Sequence, residues 1–326
     1  MSRIFLAPME GLADWLLRDV LTQAGGYDVA VCEFVRVAGP RMPSRSFRKI
    51  SPELSRGGKT PSGVPVIVQL LGSDPGLMAE SAAQLARLAP PGIDLNFGCP
   101  APTVNRSGGG AVLLERPDEI FRIVSAVRQA VPTCIPLSAK MRLGVSDTGK
   151  AVECAQAIEA GGATLLVVHA RTRDEFYRPP AHWEWIARIR ESVSMAVVAN
   201  GEVWTLDDYR RCREVTGCAD VMIGRGAVAD PLLARRIKRY QAGESEPGDP
   251  RQEWEEVRKM LEQFWRRLPE KMAPRYAPGR IKMWLRSLCD GYAEAEPLYR
   301  EVRLHGNVAA IDHALSQAGL EADDAS

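Results

Sequence analysis

Apolar runs rich in Val, Ile and Leu recur along the first 230 residues, and each is followed by a stretch of helical period. Eight such runs stand out, at 3–9, 29–35, 65–72, 92–98, 136–144, 164–171, 195–201 and 219–226. They are nearly continuous rather than alternating, as expected of strands buried on both faces of a parallel sheet. Helical periodicity predicts helices over 14–24, 75–88, 117–130, 150–160, 183–192, 207–215 and 231–241. Between the second and third strands, 44–54 reads as an irregular helix, because Pro40, Pro43 and Pro52 interrupt it. Eight strand–helix units close a (β/α)8 TIM barrel, an α/β fold.

The pattern then changes. Residues 243–251, GESEPGDPR, read as a linker, and from Gln252 onward only helical blocks remain, near 252–268, 278–290, 295–304 and 307–318. The expected organisation is a catalytic barrel over 1–242, a linker over 243–251, and an all-α helical bundle domain over 252–326 ending in a frayed polar tail. A hydrophobic share of 45% with 25% charged residues is that of a globular protein, neither disordered nor membrane-embedded. The N-terminal apolar run is too short for a signal peptide, and no run is long enough to span a bilayer, so a cytoplasmic protein is expected. Seven cysteines without a CxxC pair and four scattered histidines suggest neither a disulfide framework nor a metal site.

In such barrels the chemistry sits at the carboxyl ends of the strands, with phosphate commonly bound after strands seven and eight. Strand seven ends in Asn200-Gly201-Glu202 and strand eight in Gly224-Arg225-Gly226, glycine turns whose backbone N–H groups are able to approach a phosphate. Alone, either is equally well a plain turn. The other strand ends carry Pro8 and Met9, Glu33, Gln69, Asn96, Cys99, Lys140 and His169. A flat heteroaromatic cofactor such as a flavin needs partners of this kind: Gln69 and Lys140 along its polar edge, and Ala7, Pro8 and Met9 beneath its face. The plainer alternatives are a strand-end salt bridge for Lys140 and a core histidine for His169. Cys99 is by default a small buried hydrophobe. Its place after strand four, before the glycine-rich stretch Ser107–Gly110, suits instead a mobile catalytic loop with a protonated thiol as general acid.

The ordered set LAPMEG (6–11), VQLLG (68–72), DLNFGCPAPTVNRSGGGAVLL (94–114), KMRLG (140–144), VVHART (167–172), NGE (200–202) and IGRGA (223–227) resembles the tRNA-dihydrouridine synthases over almost the whole chain. Arg36 in CEFVRV, the TVNRSGGGA loop and PGRIKMWL look most like the bacterial C subfamily, which reduces uridine 16 of the D loop. The resemblance implies an FMN-dependent, NADPH-driven reduction of the uracil C5=C6 bond to 5,6-dihydrouridine, with Cys99 as proton donor. It implies that Ala7, Pro8, Met9, Gln69, Lys140, His169, Asn200, Gly201, Glu202, Gly224 and Arg225 hold FMN, and that Asn96 and Tyr177 contact the extruded uridine or its neighbours. Many relatives carry Lys soon after the Cys-Pro pair, where this chain has Ala101.

A uridine in folded tRNA must leave its stack to be reduced, so contacts outside the barrel are expected. Between Arg258 and Arg286 nine basic residues stand against two acidic ones, interleaved with Phe264, Trp265, Tyr276 and Trp284. A solvated helix face is the bland alternative. Arg280, Lys282 and Arg303, joined by Arg36, are the tRNA-contact candidates. A tRNA D loop, no membrane and no metal are the expected partners, with the chain acting as a monomer. Three other functions fit part of the pattern: a small-molecule flavin reductase of the dihydroorotate dehydrogenase type, a lyase using Lys140 as a Schiff base, and a catalytically silent RNA-binding protein.

Overall fold

The computed structural model describes residues 2–37, 39, 42–244 and 250–323. Nine parallel strands are described: β1 (Ile4–Leu6), β2 (Val29–Val31), β3 (Val35–Arg36), β4 (Val66–Leu71), β5 (Ile93–Phe97), β6 (Leu137–Arg142), β7 (Leu165–His169), β8 (Ala196–Asn200) and β9 (Asp220–Ile223). Their order, β2-β1-β9-β8-β7-β6-β5-β4-β3, is closed by pairing of β2 with β4. The second apolar run therefore supplies two short strands. Ala30 and Val31 pair with Val66 and Ile67, and Val35 and Arg36 pair with Leu70 and Leu71 further along the same neighbour. Both occupy one barrel position, so the sheet is the eight-membered barrel that the periodicity predicts. Glu33 lies in the interruption, where its carboxylate accepts the Gly11 N–H at 2.6 Å.

The lower interior is apolar: Phe5, Ala7, Val31, Val167, Val198 and Met222 pack together, with Val29, Ile67 and Leu165 against them. Side chains on a strand alternate between faces, so one step of two residues toward the carboxyl ends leads from Ile67 to Gln69, from Val167 to His169 and from Val198 to Asn200. The layer above the apolar plug is consequently polar. Register carries Asn96 and Lys140 into it as direct neighbours, and His169 and Asn200 likewise.

Helices start and stop where their ends are satisfied. Asp74 caps Pro75–Ala86 by accepting the Leu77 N–H at 2.8 Å. Thr205 and Asp208 form a capping box for Leu206–Thr216, which ends at Gly217 in the left-handed conformation. Ser44–Ile50 is helical, and Pro52 converts the rest of that segment to the 3-10 turn Pro52–Arg56.

The chain divides into two compact units, residues 1–15 with 27–224, and residues 16–26 with 225–326. In the second, Leu233–Gln241 groups with the C-terminal helices Pro250–Arg267, Ala277–Leu288, Ala295–Val302 and Val308–Asp323. Residues 245–249 of the expected linker, and 324–326 of the expected tail, lie outside the described residues. The tail reading is corrected at 321–323, which continue the last helix. The core of this unit is built on Trp284, which meets Phe264 edge to face at 5.0 Å and donates from Nε1 to the Val228 carbonyl at 3.1 Å. Arg267 is paired with Asp19 at 2.6 Å. Among the described residues, no helix is long and apolar enough to cross a membrane.

Candidate active site

Cys99 sits just past β5 and is only 7% exposed. Asn96, the last inward residue of β5, fixes it: its side-chain oxygen accepts both the Gly98 and the Cys99 N–H at 2.9 Å. The Cys99 carbonyl in turn accepts from Asn105 Nδ2 at 3.0 Å and from the Ala111 N–H at 3.1 Å. Gly110 has a left-handed φ of 68°. Its bare α-carbon leaves room for Cys99, since a Cβ there would stand 2.7 Å from the Cys99 carbonyl oxygen and 2.9 Å from Val104 Cγ1. The thiol packs with Leu71 and Val104, with Phe34 and Ala101 alongside. Burial pushes its pKa up and Glu10 adds to the rise, while Arg142 and Arg36 pull it down.

The loop after Cys99 makes hydrogen bonds that its composition does not announce. Pro102–Asn105 forms a helical turn, and Arg36 Nη2 donates to the Thr103 carbonyl at 3.1 Å and to Ser107 Oγ at 2.9 Å. Ser73 Oγ donates to the Ser107 carbonyl at 3.2 Å. Arg36 thus grips the loop that carries Cys99, a link that its sequence context did not disclose.

Below the loop lies a chain of buried polar side chains. Asn96 Nδ2 donates to Gln69 Oε1 at 2.7 Å, and Gln69 Nε2 donates to Asp94 Oδ2 at 2.7 Å. Ser138 Oγ donates to Asp94 Oδ1 at 2.6 Å. Burial raises the pKa of Asp94 to about 6, against the lowering pull of its hydrogen bonds and of Lys140. Lys140 is opposite in sign: burial first, then Arg142, lower its pKa to about 7. No salt bridge engages Lys140 among the described residues, so the strand-end ion pair considered from the sequence does not form.

Arg142, two residues beyond Lys140 on the same face of β6, was missed by the sequence reading although alternation alone points it inward. Its Nε donates to the Gly98 carbonyl at 2.9 Å, and its Nη1 donates to the carbonyls of Thr172 at 2.9 Å and Phe176 at 2.7 Å. Its guanidinium lies 5.2 Å from the Tyr177 ring centroid. Tyr177 is half exposed, and its ring centroid is 6.1 Å from that of His169. Arg171, fully buried, donates to the Arg178 carbonyl at 2.6 Å, lies 3.3 Å from His169 Nε2 and is ion-paired with Glu202.

At the expected phosphate corner, Asn200 donates to the Met222 carbonyl at 2.9 Å. Gly201 has φ 117°, and a Cβ there would stand 3.0 Å from His169 Cδ2, so only glycine fits. Glu202 is also left-handed, at φ 57°, and its carboxylate accepts from Trp204 Nε1 at 2.9 Å. Gly224 follows β9 beside Ala7 and Met9, where a Cβ would make ordinary contacts at 3.7 and 3.9 Å. Arg225 opens the short helix Arg225–Ala229.

In the helical unit, five of the nine cations of the basic run (Arg258, Lys259, Arg266, Arg267 and Arg286) are paired with carboxylates, which alters the sequence picture. Arg258 pairs with Glu255 and Glu262, Lys259 with Glu255, Arg267 with Asp19 and Glu270, and Arg286 with Asp290. Glu255, Asp19 and Asp290 lie outside the counted window, so its excess of charge overstates the field. Phe264, Trp265 and Trp284 are core, whereas Tyr276 is 58% exposed with Arg275 stacked 4.8 Å from its centroid. Lys282 Nζ donates to the Arg303 carbonyl at 3.0 Å, which brings those two candidates together. Arg280 lies one helical turn before Met283, with Nη1 3.5 Å from its sulfur.

A closed parallel barrel whose polar groups converge on a cysteine loop at the carboxyl end has the layout of a TIM-barrel enzyme. Residues 5–317 match the family model described as "Dihydrouridine synthase (Dus)", and the chain belongs to that family. Proteins named tRNA-dihydrouridine(16) synthase from Ralstonia nicotianae and Shewanella oneidensis are 54% and 46% identical to it. The first alignment covers 98% of each chain, the second 97% of this chain and 98% of the relative. Among solved structures, a 2-naphthoyl-CoA reductase complex (TM-score 0.56, 11% identity, 74% of this chain and 50% of that one) and histamine dehydrogenase from Rhizobium sp. 4-9 (0.53, 16%, 74% and 46%) share the barrel fold. The protein is an enzyme with a flavin cofactor. The mouth suits such a group: Lys140 brings an amine that has no salt-bridge partner among the described residues and whose pKa is lowered to about 7, and Gly201 leaves bare backbone at the rim.

Proposed function

We propose that this enzyme is an FMN-dependent, NADPH-driven tRNA-dihydrouridine synthase that reduces uridine 16 of the D loop, the position named for its relatives. The observation that carries the reading is the seating of Cys99 over the polar mouth of the barrel by Asn96 and Gly110. FMN would be held by Ala7, Pro8 and Met9 on its apolar side, by Gln69, Lys140 and His169 along its polar edge, and by the Asn200–Glu202 and Gly224-Arg225 turns at its phosphate. In such a site a reduced flavin supplies hydride, delivered to C6 of a uracil whose C5=C6 bond is conjugated with the C4 carbonyl.

Cys99 gives its thiol proton to C5. Its raised pKa keeps it protonated at neutral pH, as a general acid requires. Lys140, in its charged form, would favour negative charge along the polar edge of a bound flavin. Tyr177, half exposed at the mouth and braced by Arg142, offers a stacking face for the extruded base. Arg280, Lys282 and Arg303 supply phosphate contacts from the helical unit, and Arg36 does so from the barrel. The protein works in the cytoplasm as a monomer.

The test uses tRNA from cells lacking the protein. Complementation with the wild-type chain restores dihydrouridine at position 16, and complementation with Cys99→Ala does not, although that variant keeps its flavin and its tRNA affinity. Restoration by Cys99→Ala removes Cys99 from its role, and failure of the wild-type chain to restore position 16 removes the substrate assignment.

A further inference from the structure

We propose that Asp94 is a positioning residue for Cys99, which fixes the orientation of the Gln69 and Asn96 amides so that the Asn96 oxygen is held beneath the Gly98 and Cys99 N–H groups. This rests on the reading of Cys99 as the proton donor, and it assigns a task to a carboxylate that the chemistry itself does not use.

The backbone dictates the direction of the chain. Gly98 and Cys99 present N–H donors, which only the oxygen of Asn96 satisfies. The nitrogen of Asn96 must then face Gln69, which answers with its oxygen, and the nitrogen of Gln69 must face an acceptor. Asp94 is that acceptor. All four side chains are nearly inaccessible, with Gln69 0%, Asp94 2%, Ser138 6% and Asn96 9% exposed, so water does not substitute for a missing partner. Were the Gln69 amide to turn over, like groups would face each other at 2.7 Å on both of its sides, and were the Asn96 amide to turn over, the turn at Cys99 would also lose both of its hydrogen bonds. A shift of about 1 Å in a reacting group is worth about 100-fold in rate. Ser138 completes the arrangement as a swivel, since a hydroxyl donates or accepts as required.

These roles predict a pattern that burial or charge alone would not. Asp94→Asn should be mild, because its amide oxygen accepts from Gln69 while Ser138 turns to accept from the new nitrogen. Asn96→Asp should be severe, because Gln69 then lies between two carboxylates and satisfies only one. The double variant Asp94→Asn/Asn96→Asp should recover: the new amide donates to Gln69, Gln69 donates to the new carboxylate, and that carboxylate still accepts both backbone N–H groups.

The readout is the alkylation rate of Cys99 by iodoacetamide in flavin-free protein at about pH 9, well above the ordinary carboxylate range. Single-turnover dihydrouridine formation by prereduced enzyme at the same pH is measured beside it. For Asn96→Asp we expect Cys99 alkylation to differ several-fold from wild type and turnover to fall about 100-fold. Asp94→Asn should stay close to wild type in both, and the double variant should return alkylation to the wild-type rate. An Asn96→Asp variant that fails to fold beside a double variant that folds with wild-type alkylation also supports the chain. The proposal is overturned by wild-type alkylation in Asn96→Asp, by a double variant no better than Asn96→Asp, or by Asp94→Asn as damaging as Asn96→Asp, which would make the charge rather than the direction the contribution of Asp94. Rescue of alkylation with unaltered turnover in all variants would instead sink the role of Cys99 and leave the positioning intact.

Discussion

Gly110 and Cys99 approach so closely that the backbone of one occupies the space a side chain on the other would need: a Cβ at position 110 would lie 2.7 Å from the Cys99 carbonyl oxygen. Gly110→Ala therefore meets both a left-handed φ of 68° and a steric conflict with the catalytic turn. A loss of about 2–4 kcal/mol in unfolding free energy is expected, with dihydrouridine formation falling more than flavin affinity. Denaturant unfolding and flavin titration of the same variant check this, and an unchanged unfolding midpoint would refute it.

Lys140, whose pKa is lowered to about 7, makes flavin binding depend on pH. If the charged amine binds the flavin, its pKa is higher in the complex, so binding takes up a proton above about pH 7. FMN affinity should then weaken as pH rises through 7 to 9, by at most about tenfold per unit. Lys140→Met should bind FMN more weakly with a flat profile. A wild-type affinity independent of pH over that range would rule out the charged form as the ligand.

Cys99 donates only while protonated, and burial raises its pKa above that of an ordinary thiol. Single-turnover reduction of tRNA by prereduced enzyme should hold through about pH 8.5, the usual thiol value, and decline only beyond it. A decline centred below that value would contradict the direction of the shift.

Arg258, Lys259, Arg267 and Arg286 are engaged by carboxylates, whereas Lys282, two residues after Arg280, reaches the Arg303 carbonyl. Arg280→Ala/Lys282→Ala should weaken tRNA binding and reduce the salt slope by about 2, or about 1 for each phosphate no longer held, with flavin content unaltered. Equal salt slopes in variant and wild type would place the docking surface elsewhere.

The barrel was legible because strands buried on both faces leave continuous apolar runs, and the polar residues at their ends stand out against them. The break in the second run was not, because Glu33 leaves the ladder to meet Gly11, 22 residues away in sequence. The hold of Arg36 on Ser107 was not legible, because a glycine-rich composition carries no sign of a partner 71 positions away. The pairing within the basic run was not legible for a related reason: its carboxylate partners include Asp19, 248 residues distant from Arg267. Arg142 could have been found, since it shares an inward face with Lys140 two residues before it.

Arg142 holds carbonyls from both the cysteine turn and the 172–177 loop. The two segments are therefore not interchangeable parts. Grafting the 172–182 loop of another dihydrouridine synthase onto this barrel would also reset the seat of Cys99, unless the 98–111 loop were transplanted with it. The backbone leading to Tyr177 and the backbone leading to Cys99 are in this way held by one guanidinium.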